Sequence, residues 1–206
     1  MSRRRAALLP FLAIVAACAP AAAALPGTPA PAAGGPRAEL PAGRHRIVYE
    51  WSYEDADMLG SGEAVARVAA PDSARLDLFL RGGLGSGAAV LVGEEVRLPS
   101  GGDFIRRFVP PPPLLWAGLG RLAVPAAADT VARVDGDTIR ADIGRDPVWR
   151  ATFAGPRLVR LERIEDGRIV EWVKRDSAGN ARYRDERGGR SLELRMRRSE
   201  PATEFD

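Results

Sequence analysis

Few residues in this chain could do chemistry. With one cysteine and one histidine among 206 residues, it can build neither a zinc site nor a disulfide framework. His45 has no serine or cysteine in a recognisable nucleophile elbow, so acyl transfer through a catalytic base is not expected. Gly82-Gly83-Leu84-Gly85-Ser86-Gly87 is glycine-rich but lacks the lysine of a phosphate loop and does not open a helix. The Asp and Glu residues mostly alternate with arginines along apparent strands and read as solvated surface rather than as paired acids and bases. No catalytic residue, metal or cofactor is expected. The cysteine is different: Val15-Ala16-Ala17-Cys18 has the small residues and the terminal thiol of a lipobox, whose chemistry is acylation of Cys18.

The flanks agree with that reading. Met1-Ser2-Arg3-Arg4-Arg5 supplies a positive n-region, and Ala6 to Ala17 an apolar stretch interrupted only by Pro10, the pattern of a secretory signal. It is too short to span a bilayer, which needs roughly 20 residues. The alternative is ordinary secretion with cleavage near Ala22-Ala23-Ala24. Without the three arginines of residues 1–17, the Lys+Arg total of 30 falls to the Asp+Glu total of 27. A neutral mature chain argues against nucleic-acid binding, which needs a gathered basic excess. The expected organisation is a signal peptide over 1–17, a lipidated Cys18 with an Ala/Pro-rich tether over 18–43, and a folded domain over 44–206. A free polyproline-like tether of this length would reach on the order of 75 Å.

From Arg44 the pattern becomes short runs of Val, Ile, Leu and aromatic residues separated by Gly, Asp, Pro and Asn, which predicts antiparallel β structure. Strands are expected at 46–53, 62–69, 74–81, 88–93, 95–98, 104–108, 130–134, 138–142, 148–153, 157–164, 169–175, 181–185 and 191–197. Leu76, Leu78 and Leu80 alternate with Arg75, Asp77 and Phe79, and Leu192, Leu194 and Met196 with Glu193, Arg195 and Arg197, so one face of the sheet is dry and the other wet. Asp135-Gly136, Asp166-Gly167 and Gly188-Gly189 suit tight hairpins. The series breaks at Pro110 to Pro113, whose last proline can open a short helix carrying Leu114, Leu115, Trp116, Leu119 and Leu122. Gly118 and Gly120 each cost such a helix about 1 kcal/mol, so it must be held by packing.

This order of elements resembles the LolA/LolB superfamily of lipoprotein carriers, and is most similar to the lipid-anchored LolB-type receptors of the outer membrane. The residues that carry the likeness are Arg75-Leu76-Asp77-Leu78-Phe79-Leu80-Arg81-Gly82-Gly83-Leu84-Gly85-Ser86, the Leu115-Trp116-Ala117-Gly118-Leu119 plug, Pro147 to Phe153, and Gly188 to Met196. The resemblance implies a mainly β fold with a few short helices: a curved antiparallel sheet forming an incomplete β-barrel, closed by an apolar plug helix over a hydrophobic cavity. It also implies that Leu84 protrudes from its loop to meet membrane or lipidated cargo. The chain departs from the family in having no room for an amphipathic helix before the first strand, where Pro41 stands.

The cavity candidates are Leu76, Leu78, Leu80, Leu115, Trp116, Leu119, Phe153, Trp172, Leu192, Leu194 and Met196, with Val65, Val90, Val92, Phe104, Leu161 and Val170 also read as inward. Arginines 182, 184, 187, 190, 195, 197 and 198 read as a solvated face or as contacts to anionic lipid. The expected protein is a monomeric lipoprotein on the outer membrane, facing the periplasm. Its expected partners are the acyl chains of lipoproteins or lipids and a periplasmic lipoprotein carrier, with palmitate expected as lipid on Cys18. The competing expectation is a protein-interaction scaffold of the same fold with a filled interior. A hydrolase built around His45 ranks last.

Overall fold

Alternation of apolar and polar side chains, repeated in segment after segment, yields an antiparallel sheet with one dry face. In the computed structural model, which describes residues 19–31, 37–83, 85–100, 102–125 and 127–203, the strands are β1 (Thr28–Ala30), β2 (Arg44–Glu54), β3 (Leu59–Ala69), β4 (Ser73–Leu80), β5 (Ser86–Val92), β6 (Glu95–Ser100), β7 (Thr130–Asp135), β8 (Thr138–Ile143), β9 (Val148–Ala154), β10 (Arg157–Glu165), β11 (Arg168–Arg175), β12 (Ala181–Asp185) and β13 (Arg190–Pro201). They form one sheet in the order β1-β7-β8-β9-β10-β11-β12-β13-β2-β3-β4-β5-β6, with β1 and β6 as open edges. The sheet is not closed into a barrel; it is a curved half-barrel, mainly β, with a helical plug. Hairpin chemistry works as expected at the β10–β11 turn, where Asp166 and Gly167 both take positive φ, 50° and 69°.

Helices α1 (Gly102–Phe108) and α2 (Pro112–Leu119) pack against the sheet, α1 on β5 and β6 and α2 on β10, β11 and β12. The strand expected at 104–108 is therefore corrected to a helix. Ile105 and Phe108, both buried, lie three residues apart, which puts them on one helical face but on opposite faces of a strand. Phe108 is wedged edge-on between Trp51 and Tyr53, with ring centroids 5.4 and 4.5 Å away.

The free tether is a second correction. Rather than leaving the domain, Ala19 to Ala23 crosses the polar side of β9, β10 and β11. Ile169 N donates to Pro20 O at 2.9 Å and Ala22 N to Gly167 O at 2.8 Å, while Arg168 and Arg150 reach the carbonyls of Ala19 and Ala23. The chain then enters the sheet as β1 beside β7. Ala and Pro cannot build a core of their own, yet their backbone carbonyls still accept hydrogen bonds, and β7 offers an edge to pair with. Further on, Ala38 and Leu40 are buried in the core, without forming a helix.

Candidate functional site

The dry face of the sheet gathers most of the residues expected there. Leu76 and Leu78 from β4, Phe153 from β9, Leu192 and Leu194 from β13, and Leu115, Trp116 and Leu119 from α2 belong to one buried cluster, with Leu161 among them. Leu80 and Met196 are half-buried at its margin. The interior is filled: Trp116, Phe108, Phe153, Tyr49 and Leu115 occupy the hollow of the sheet. Clefts of about 420 and 340 Å³ do exist, but polar side chains such as Ser52, Glu54, Ser61, Arg182 and Glu193 dominate their linings.

Some residues expected inside are elsewhere. Trp172 stands on the wet face, opposite Glu162 and Arg184 in register. Its indole N–H donates to Glu186 at 2.7 Å, and Arg160 stacks on its ring. Val65 lies opposite Asp77, and Val90 opposite Arg75; Val92 is half exposed. In these strands the dry positions are filled by Ala64, Ala66, Ala89 and Leu91. The valines outweigh the alanines in hydropathy, so the alternation reads one residue out of register, and a shift of one exchanges the faces. Val170 shares the wet side with Trp172 but is buried, next to the residues that bind the crossing segment. Cys18, Leu84 and the Phe104 side chain lie outside the described residues. On the other side of the sheet from the core, the late arginines meet carboxylates: Arg182 with Glu193, Arg184 with Glu186, Arg197 with Glu50, and Arg198 with Glu200. Arg187 and Arg190 meet Glu165 and Asp185. His45 sits in β2 with its ring against the Ala42 carbonyl at 3.1 Å.

The plug helix explains how this face is closed. Pro111 begins α2 in an extended conformation, with prolines in the first turn and no side-chain cap. Gly120 ends it at φ 98°, where Gly120 N and Arg121 N turn back to the carbonyls of Ala117 and Trp116. Leu114 to Leu119 are all buried. Trp116 also donates its indole N–H to Gly93 O at 2.7 Å, tying the plug to the β5–β6 turn. Packing, that bond and the backbone cap hold a helix of such low intrinsic propensity.

Sequence reasoning overlooked the inner residues of β2. Ile47, Tyr49, Trp51 and Tyr53 are all buried, and their alternation was present in the sequence as a signal. It also overlooked a charged row at one end of the dry face. There Glu171 accepts from the Tyr183 hydroxyl and from Arg163, both at 2.6 Å, and Arg190 pairs with Asp185 at 2.8 Å. Burial, and then the bond to Glu171, raise the Tyr183 pKa well above its ordinary value.

No protein-family model matches the chain, and no curated protein sequence does. Solved structures do match. A LolA superfamily protein from Nitrosomonas europaea superposes with a TM-score of 0.50 at 8% identity, over 81% of this chain and 90% of that one. The chain has a LolA-like fold. An outer membrane lipoprotein-sorting protein domain from Vibrio parahaemolyticus superposes less closely, with a TM-score of 0.45 at 9% identity over 80% of this chain and 87% of that one. A DUF1329 family protein from Desulfovibrio piger gives a TM-score of 0.45 at 13% identity over 80% and 88%. In this LolA-like fold the dry face of the sheet is covered by a pair of short helices, α1 and α2, rather than by a second sheet.

Proposed function

We propose that this chain is an envelope lipoprotein of LolB type that takes acyl chains of lipoproteins or lipids against the dry face of its half-barrel when α2 yields. The observation that carries the reading is the cover itself: a broad apolar face closed by a helix containing Gly118, capped only by backbone, and buried along Leu114 to Leu119. Acyl chains need bulk apolar contact and no special chemistry, which suits a face made of Leu, Phe and Trp. In this proposal residues 1–17 are removed, Cys18 carries the lipid that holds the protein on the periplasmic side of the outer membrane, and the folded domain, with the N-terminal segment packed on it, works as a monomer. Leu84 meets membrane or cargo, and a periplasmic carrier delivers the lipoprotein.

Two measurements test it. Cells grown with an alkyne-bearing palmitate should label the wild-type chain and not Cys18→Ala; equal labelling removes the anchor. A lipopeptide bearing a fluorescent acyl chain should bind the folded protein and lose affinity in Leu115→Glu, checked for retained β structure by circular dichroism. A second reading is favoured by the filled interior: a scaffold of the same fold that binds a protein partner and no lipid. Co-purification of a partner with no lipid in the native mass spectrum would replace the first reading by this one.

A further inference from the structure

At the C-terminal foot of α2, three hydrogen-bond donors are buried with no acceptor: the Tyr49 hydroxyl, Arg175 Nε and Arg121 Nη1. Arg175 ends β11 on the dry face, two residues beyond Val173. A Cβ built on Gly120 would lie 3.4 Å from Arg175 Cζ, and one built on Gly179 would lie 3.2 Å from Arg175 Nη2 and close on Met196. The guanidinium therefore sits between the helix cap and the β11–β12 turn. Met196 is the register partner of Tyr49, which brings the phenol to the same corner. Burial pushes the Tyr49 pKa up to about 12, and the charge of Arg175 opposes that rise. Arg121 follows the cap and lies over the Trp116 ring at 4.7 Å.

Most other part-buried arginines among the described residues meet a carboxylate, as Arg163 does with Glu171, Arg190 with Asp185 and Arg150 with Asp142. Among the described residues Arg121 and Arg175 have no ion-pair partner. Asp176, adjacent to Arg175, is engaged by Asn180 through both the backbone N–H at 2.9 Å and the side-chain amide at 2.8 Å. The corner thus offers the Arg175 guanidinium beside the Tyr49 hydroxyl, with Arg121 on the chain just past the cap, all donors. Water would satisfy the hydroxyl, but a buried guanidinium without an ion pair calls for negative charge spread over several oxygens.

We propose that Tyr49, Arg121 and Arg175 bind an anionic oxygen group, a carboxylate or a phosphate, at the foot of the plug. Where the group is the head of an acyl ligand, the inference rests on the acyl-binding reading; the site itself does not. Its place next to the α2 cap links anion binding to the plug, since the same arginine that would hold the ligand lies against Gly120.

Calorimetric titration of the full chain, kept soluble in a neutral sugar detergent, with octanoate, octanol and inorganic phosphate tests the site. Octanoate should bind about tenfold tighter than octanol, the scale of one charge-assisted contact. Arg175→Gln should abolish that preference, and Tyr49→Phe should reduce it. Arg175→Lys, which keeps the charge, should retain part of it and guards against a folding defect in the glutamine variant. Phosphate binding that depends on Arg175, with octanoate no tighter than phosphate, upholds the site with a free anion as ligand and removes the acyl head group. Equal binding of octanoate and octanol overturns the site and leaves the acyl reading standing. No binding of octanoate or phosphate, or an octanoate preference untouched by Arg175→Gln, also overturns the site.

Discussion

A buried hydroxyl without a partner has a measurable cost. Tyr49 is fully buried and its hydroxyl is unpaired, so Tyr49→Phe removes a desolvated donor without leaving a cavity and should stabilise the ligand-free protein by about 1 kcal/mol, read from the urea midpoint. The same residue sets an alkaline limit. Its pKa is raised from 10.0 to about 12, so the folded state holds the proton more tightly than the unfolded chain. That contribution is complete below pH 10 and is lost as pH rises toward 12. Stability should fall across that window, and less steeply in Tyr49→Phe; an unchanged slope in the variant would assign the loss to other groups. Glu171 gives the opposite lesson. It is buried and takes hydrogen bonds from Tyr183 and Arg163, so Tyr183→Phe should cost about 1–3 kcal/mol by stripping a buried carboxylate of one donor.

Among the elements, the strands were the most legible from sequence, because period-2 alternation such as Leu76-Asp77-Leu78 survives in the folded sheet as an apolar row in the core and a charged row on the other face, where Asp77 is covered by Arg67 and Arg75. Legibility failed where small residues hold the dry side. Ala64, Ala66 and Ala89 are buried and their neighbours Val65 and Val90 are not, an inversion that hydropathy alone does not signal. It failed too at α1, where seven residues are too few to separate helical from strand periodicity, and at Arg175 and Tyr49, whose meeting depends on strands that are not neighbours in the sheet. The plug was foreseen because four consecutive prolines exclude a central strand. Its weakness suggests a simple manipulation. A Cβ at Gly118 would meet only Ala181 Cβ, at 3.8 Å, so Gly118→Ala should gain about 0.5–1 kcal/mol of helix propensity without a clash. If α2 must yield for acyl chains to enter, the same variant should take up a fluorescent lipopeptide more slowly. Gly62 is the converse case: a Cβ there would lie 1.8 Å from the Phe79 carbonyl oxygen, so Gly62→Ala should cost more than about 2 kcal/mol by forcing β3 from β4.

For the molecule as a whole, an open sheet must protect its edges. At one edge, β6 carries Glu95, Arg97 and Pro99, charges and a missing N–H that discourage pairing. At the other, β1 covers β7. Deleting residues 19–31 should bare the β7 edge, whose Val131 is already 55% exposed, and sedimentation should then show concentration-dependent self-association; a deletion variant that stays monomeric would show that β1 has no such covering role. The N-terminal crossing also governs orientation. The β10–β11 turn that receives Ala22 and the C-terminal end of β4 are at the same end of the sheet, because β10 and β4 run in the same direction. If Cys18 carries the proposed lipid, the domain is not a float on a long line: it pivots on its moorings, with that end turned toward the bilayer and the foot of α2 facing the periplasm.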